Sequence, residues 1–500
     1  MAVPREALEH RSMGGELLGR GLLVAARDQF RRWLELVEST GDPVAIVPAL
    51  NALASVAHRR GELDEMWLYL RQAEAMAQSP SVSDDDRMKT DINLMTMYTE
   101  RGRLEEALEI GQRAGKLPGV TDPWLGRLYW MAVSMIHWRR QEWVPLRQTA
   151  QKAYRLSVQV GDLAWKAKAQ TNMGIAYLEM GAYRLAEKNL KQALSQFENL
   201  GSSEVAYTYA ELGRLYFMQK EYRSALEAGR KALNALLCST SSLDKEEVAR
   251  VSRLFGIIFS ISGHRNLSLK YLNRAAAYFS QLGLRAEWQR STAMIGEVLS
   301  GQAQPARRQF QEEIQRLDFL TAVLDLTDDL ESVDPYMRGH SERVAGLAVM
   351  MGEELGLSQA QLTTLAYAAR LHDVGMVAVD AELVQREGPL TESERRRVAM
   401  HTTIGEEMVR PYGLPAEGLA AIRHHHERWD GSGSPDGLSA TEIPLMARIV
   451  ALAEVYDALT SHRVYRQAMT HQQAMAEMCK MSGRELDPIL VERFRALHHV

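Results

Sequence analysis

Five hundred residues are too many for one ordinary domain, and the length alone suggests about three. A composition 46% hydrophobic and 25% charged fits a folded chain rather than a disordered one. The formal net charge of -5 leaves no basic excess for a nucleic-acid polymer or an anionic membrane. Cys238 and Cys479 are the only cysteines and lie far apart, which argues against a disulfide framework and against a cysteine zinc site. Glu, Arg and His interrupt every apolar stretch near the start, and no window of about 18 apolar residues follows. The expected location is the cytoplasm, with no membrane attachment.

Two chemically distinct regions follow one another. Four of the 14 histidines precede residue 301, whereas helical apolar spacing runs almost unbroken from residue 5 to 300. Aligning helix-helix turns on Gly21, Gly61, Gly102, Gln141, Gly181, Lys220 and Gly263 gives intervals of 39 to 43 residues. Seven residues before each turn stand Gly14, Ala54, Met95, Ser134, Gly174, Gly213 and Gly256, six of them small. Five residues after it stand Ala26, Met66, Ala107, Leu146, Ala186, Ala225 and Ser268. Small residues at these offsets let paired helices approach closely. The stretch Asn172–Ala186 resembles the tetratricopeptide repeat, in a version longer than the usual period of about 34 residues. The resemblance covers roughly residues 5–300 and weakens in the fourth and seventh copies. It implies a stack of helix pairs with an extended concave surface that takes a protein or peptide partner, or a second copy of the chain. Trp130 and Tyr216 read as core, and Trp138 and Trp143, flanking the fourth turn, read as packing residues before exposed anchors. His10, His58, His137 and His264 are isolated and read as ordinary histidines.

Gly301–Pro305 breaks the pattern, and residues 306–330 resume it with a stripe of Phe310, Ile314, Leu317, Leu320, Leu324 and Leu326. A helix of some 25 residues, about 37 Å long, either packs on the next domain or pairs with a second copy in a homodimer.

The chemistry-bearing residues come later. His340, the pair His372 and Asp373, His401, the run His424–His426 and Glu454 follow at intervals of roughly 24 to 32 residues, about one helix and a loop apart. Each would then arrive on its own helix and converge on a bundle interior. A single histidine of this kind reads best as a satisfied core residue; the whole set reads as a metal site. Imidazole and carboxylate without thiolate favour iron, manganese, zinc or a similar cation.

Arg338–Val344, His372–Met376, His401–Gly405, His425–Pro435 and Ala453–Thr460 together resemble the HD-GYP family, a subgroup of the HD-domain metal-dependent phosphohydrolases. The resemblance runs over nearly all of residues 325–500. It implies an all-helical domain with two, sometimes three, divalent metal ions, iron or manganese first and zinc or nickel next. It also implies hydrolysis of cyclic di-GMP in bacterial signalling, to a linear dinucleotide or to GMP. Carried over position by position, His340, His372, Asp373, His401, His425, His426 and Glu454 match metal ligands, Asp373 bridges two metals, and His372 and Asp373 belong to the catalytic centre. Arg463 and Arg466 match substrate-phosphate contacts, where guanidinium binds two oxygens at once; a surface pair is the equally good plain reading.

Departures accompany the matches. Met376 stands where the family has Lys, Ser434 where it has Tyr, and Glu454 where it has Asp; Tyr336 stands one turn before His340 in place of an acidic ligand, so two metals are expected rather than three. The alternative to an active phosphodiesterase is therefore a catalytically degenerate nucleotide sensor or interaction scaffold. Another phosphoester substrate is a third reading. The expected fold is all-α: a tetratricopeptide-like solenoid of about seven helix pairs over residues 1–300, a connecting helix in 301–330, and an HD-type helical bundle over 331–500.

Overall fold

The structure is a computed structural model that describes residues 4–20, 22–60, 62–202, 204–237, 245–282, 284–300, 325–326, 339–379, 391–461 and 468–498. Among these residues the secondary structure is helical, with no strand and one isolated bridge between Ser482 and Leu486. The chain divides into two compact units. One takes in Met1–Gly19, Ala26–Ala235 and Asp244–Phe310; the other takes in Arg20–Ala25, Leu236–Leu243 and Gln311–Val500. No helix among the described residues is long and apolar enough to cross a membrane. Apart from residues 325 and 326, the expected 306–330 helix lies outside the described residues, as do Tyr336 and the pair Arg463 and Arg466.

The repeat region consists of antiparallel pairs: α1 (Arg5–Gly19) with α2 (Leu23–Glu38), α3 (Pro43–Arg59) with α4 (Leu63–Ala77), α5 (Asp84–Glu100) with α6 (Leu104–Ala114), and α7 (Pro123–Arg139) with α8 (Trp143–Gln159). It continues as α9 (Leu163–Glu179) with α10 (Tyr183–Asn199), α11 (Val205–Met218) with α12 (Tyr222–Leu237), α13 (Lys245–Ile261) with α14 (Arg265–Gln281), and a final α15 (Arg285–Leu299). In four of the pairs the first helix starts at a capping side chain: Asp42, Ser83, Asp122 and Asp162 each accept a backbone N–H of the first turn. Those caps recur every 40 or so residues, so the period is written into the helix starts as well as the turns.

The aligned offsets have a direct physical basis. Of the seven turn residues, Gly102, Gln141, Gly181, Lys220 and Gly263 adopt positive φ between 59° and 81°, and Gly21 and Gly61 lie outside the described residues. The residue that ends each first helix must turn left-handed to start the second, and glycine does so without a Cβ penalty. The residues five positions later, Ala26, Met66, Ala107, Leu146, Ala186, Ala225 and Ser268, are all buried. At the other offset a Cβ built on Gly174 would sit 2.7 Å from Leu190 Cγ, and one on Gly256 would sit 2.6 Å from Leu272 Cγ. In both cases the partner is 16 residues on, across the pair. Trp138 and Trp143 pack against the cluster of Leu146, Ile175 and Ala176, as their sequence setting predicts.

Gly181 has φ 74° and open space around its missing Cβ, whereas Gly174 has φ in the helical range and no room. Gly181→Ala should therefore lower stability by about 1–2 kcal/mol through backbone strain alone. Gly174→Ala should lower it by about 1–3 kcal/mol through overpacking. Denaturant unfolding of the two variants checks this, and a neutral Gly181→Ala would mean that the left-handed turn has no need of glycine.

Candidate metal centre

The second unit brings the later histidines together from helix ends. Its elements are α16 (His340–Glu354), α17 (Gln359–Leu371), α18 (Glu392–Ala399), α19 (His401–Val409), α20 (Ala416–His424), α21 (Leu445–Thr460), α22 (His471–Met481) and α23 (Pro488–His498). The apolar run ending at Leu371 is α17, started by a Ser358 capping box with Gln361 and closed by His372 as its C-cap. His425 is likewise the C-cap of α20, and His401 opens α19 directly after α18.

This placement sets the protonation pattern of the imidazoles. The last carbonyls of a helix have no intrahelical partner. His372 Nδ1 lies 2.8 Å from the Ala369 carbonyl, His401 Nδ1 2.6 Å from that of Val398, and His425 Nδ1 2.8 Å from that of Ile422. Each acceptor is three residues back, and a carbonyl can only accept, so in each ring Nδ1 carries the proton. The opposite nitrogen, Nε2, is then the one left for a cation or a second proton, and all three Nε2 atoms point at one carboxylate. They lie 3.3, 3.2 and 3.7 Å from Asp373 oxygens for His372, His401 and His425 respectively. His340 joins from α16 with Nε2 4.0 Å from Asp373 Oδ2, while its Nδ1 is held 2.8 Å from Asp457 Oδ2.

Asp373 is thereby shared between two groups: His340 with His372, and His401 with His425 and His426. A third overlapping group takes His372, His425 and Glu454, whose carboxylate is 4.0 Å from His426 Nδ1. His340, His372, His401 and His425 are buried, and His426 is partly exposed at the mouth. Burial would raise the Asp373 pKa, yet the charge and contacts of His372, with those of His401 and His425, hold it well below the usual carboxylate range. Burial and the neighbouring His426 push His425 down to about 4, so that ring is neutral at pH 7. Against the pull of burial, Asp373 lifts His372 to about 9, so at pH 7 its Nε2 holds a proton that a cation would displace. His372 Nε2 is fully buried, with the Asp373 carboxylate as its neighbour at 3.3 Å. Four imidazole nitrogens turned on a shared carboxylate are a donor set that a divalent cation can take in place of the proton.

Close backbone approach is part of the construction. A Cβ on Gly375 would fall 2.0 Å from the His401 carbonyl oxygen, so only glycine lets the Val374–Ala378 turn lie on α19. Met376, on the same turn, is partly exposed, as is Ser434.

Three further residues fall within the stretches that the sequence singles out but have no ligand role there. Asp457 accepts from His340 Nδ1 and from Arg343, at 2.6 Å to Nε and 3.1 Å to Nη2, and so orients the His340 ring. It lies one helical turn after Glu454 on α21, and that i, i+3 spacing was the available signal. Glu427, buried, accepts the backbone N–H groups of Asp436, Gly437 and Leu438 and shapes the loop containing Ser434. His424, the first of the histidine run, faces away from Asp373, 3.5 Å from Asp436 and 3.9 Å from Glu427.

Comparison with known proteins agrees with this geometry. Residues 326–490 match the model of the HD domain, and residues 165–237 match that of the tetratricopeptide repeat. A cyclic di-GMP phosphodiesterase of Thermotoga maritima is 38% identical over 183 residues, 36% of this chain and 50% of that protein. The cyclic di-GMP phosphodiesterase response regulator RpfG of Xanthomonas campestris pv. campestris is 42% identical over 154 residues, 30% of this chain and 40% of that protein. The 3'3'-cGAMP-specific phosphodiesterase 3 of Vibrio cholerae is 38% identical over 170 residues, 34% of this chain and 36% of that protein. The chain thus spans half or less of the length of these relatives.

Hydrogen bonds from His340 and Arg343, against the opposing effect of burial, hold Asp457 down to about 2 from an ordinary 3.8. A depressed carboxylate contributes stability that is present above pH 4 and is lost as the pH falls toward 2. Asp457→Asn should therefore cost roughly 2 kcal/mol at pH 7, with the gap to wild type closing between pH 4 and 2. Denaturant unfolding across that range checks it; equal stabilities at pH 7 would contradict the placement. With the donor set gathered around Asp373 and both family models matched, residues 326–490 are an HD domain following tetratricopeptide repeats.

Proposed function

We propose that this chain is a metal-dependent phosphodiesterase for a cyclic dinucleotide, cyclic di-GMP before others, regulated by a protein or peptide that binds its repeats. The observation that carries this reading is the convergence of four Nε2 atoms on Asp373 from four separate helices. His340, His372, Asp373, His401, His425, His426 and Glu454 would hold two divalent cations, iron or manganese first. Bound there, such a pair supplies Lewis acidity, lowering the pKa of a water and neutralising phosphodiester charge.

The chain's own residues do the rest. Asp373 presents one oxygen to each histidine group, so one charge serves both positions. The helix-end carbonyls and Asp457 keep these Nδ1 protons in place, which leaves each Nε2 directed inward, where a cation would take the place of any proton it holds. Glu454 brings a carboxylate to the mouth of the site beside His426 despite its extra methylene. Arg463 and Arg466, outside the described residues, take the substrate phosphates in this reading. The relatives named above act on cyclic di-GMP or 3'3'-cGAMP, which supports the substrate class.

A second reading, a nucleotide sensor without turnover, draws on Met376, Ser434 and Glu454. The experiment is direct: protein purified without oxygen, loaded with manganese or iron, is given cyclic di-GMP and the linear product is separated by chromatography. Turnover is expected, and Asp373→Ala should reduce it by more than the roughly 10–100-fold typical of outer-sphere changes, with metal content falling in parallel. Nucleotide binding without product under either metal would replace the enzyme by the sensor.

A further inference from the structure

A fully buried charge stands beside the metal centre without belonging to it. Arg370 lies in α17, in a run from Leu365 to Leu371 whose other members are Leu, Ala and Tyr, and it is only 1% exposed. Arginine keeps its charge on burial, so the fold must supply acceptors for it. Its Nε donates to the backbone carbonyl of Leu237 at 2.7 Å, across 133 positions of sequence. Leu237 is the last residue of α12 and is itself buried. The last carbonyls of a helix have no intrahelical partner and carry the negative end of its dipole, so a guanidinium there satisfies both groups at once. Both residues belong to the second compact unit, which takes in Leu236–Leu243 together with the HD domain.

The position of Arg370 on α17 gives this contact its consequence. The residue before it, Ala369, offers the carbonyl that lies 2.8 Å from His372 Nδ1 and so sets which way that ring faces. Shortly after it come His372 and then Asp373, the carboxylate common to both histidine groups. Arg370 therefore sits between the acceptor that orients a ligand and the ligands themselves, within a single helical turn. The chain beyond has no slack either. A Cβ on Gly375 would fall 2.0 Å from the His401 carbonyl oxygen, so a shift at the end of α17 is passed on to α19 rather than absorbed. Withdrawing the Leu237 carbonyl would leave a buried guanidinium short of an acceptor, and in a low-dielectric interior that cost falls on the turn that carries it.

We infer that Arg370 is a positioning residue for the metal centre: by holding the last carbonyl of α12 it fixes the final turn of α17, and with it the Ala369 carbonyl, His372 and Asp373. The inference rests on the reading of these residues as part of a metal centre, and it names the contact through which regulation reaches them. α12 runs unbroken from Tyr222 to Leu237, so the order of its last turn is felt directly at Arg370. Whatever holds that turn in place favours a centre able to take its cations, and whatever loosens it weakens their hold. A guanidinium that merely caps α12 would make no such demand on ligand geometry, and the two roles differ in what they do to metal affinity.

The test uses the full chain and manganese alone, without nucleotide. Equilibrium dialysis gives the manganese Kd, hydrogen–deuterium exchange follows the amides from Ala369 to Asp373, and denaturant unfolding follows the fold. Arg370→Leu puts an apolar side chain in place of a buried charge, a change often neutral or stabilising for folding. It should nevertheless weaken manganese by about tenfold or more, the scale expected when a ligand loses its outer support, and speed exchange by a similar factor. Leu237→Gly, which loosens the acceptor from the other side, should weaken manganese too, and adding it to Arg370→Leu should cost no further affinity. Manganese affinity within about threefold of wild type in both single variants, whatever happens to unfolding, would overturn the inference, and so would losses that simply add in the double variant. If Arg370→Leu does not fold, Leu237→Gly decides by the same threshold. A wild-type chain that takes up no manganese would end the metal-centre reading instead, and unchanged exchange in the variants would then end this one as well. Absent cyclic di-GMP turnover in a chain that binds manganese normally counts against the hydrolytic reading alone.

Discussion

Asp373 is a largely buried carboxylate facing four imidazoles, and such a group is tolerable only because every ring presents a nitrogen whose role is already set. Helix termini do the setting. An α-helix leaves its last carbonyls unfilled, and α17, α18 and α20 direct one each to the Nδ1 proton of His372, His401 and His425. The same bond that caps the helix turns Nε2 inward. His340 begins a helix instead of ending one, so no carbonyl is available to it, and a side chain from another helix, Asp457, replaces it. Backbone geometry and site chemistry are one arrangement here.

These contacts also weigh the departures from the family pattern. Glu454 retains a carboxylate within 4.0 Å of His426 and completes a group with His372 and His425, so the longer side chain has not left the site. Ser434 sits in a loop whose backbone N–H groups are gathered by Glu427, so the loop's shape does not rest on the side chain at that position. Met376 remains the departure with a chemical consequence, since thioether cannot supply the charge of an ammonium group.

The repeat unit solves a different problem with equally few devices. Pairs of helices approach closely where Gly174 and Gly256 leave no Cβ, and the turn between them is made by a residue in left-handed conformation. Gln141 and Lys220 adopt that conformation without being glycine, at φ 59° and 65°. Packing of the flanking pair must outweigh their strain, which is why an aligned turn was recognisable there by position and not by residue type. Charged rungs then link successive pairs, as Arg101 to Asp64 and Arg140 to Glu105, at spacings of 37 and 35 residues. Being on partly exposed faces, these rungs contribute little stability individually and act more to set the register of neighbouring pairs.

Much of this was legible in the amino-acid string. Helix starts, turns and buried small positions recur every 40 or so residues because each repeat meets the same neighbours, and local helix geometry turns a recurring contact into a recurring letter. The histidines were legible as a set for a related reason: polar residues at the ends of apolar helices are costly to bury unless they serve a common purpose. What the string could not display were meetings that depend on accumulated rotation and translation over many elements. Asp457 reaches His340 across 117 positions, and Arg139 meets Glu246 across 107, past every helix from α8 to α12. No periodicity announces such a pair, since a few degrees' change in the angle between repeats would separate it. Residue types and their local spacing were therefore determined by sequence alone, whereas the inward Nε2 atoms, the acceptor behind His340 and the Arg139–Glu246 pair exist only once the helices have been stacked.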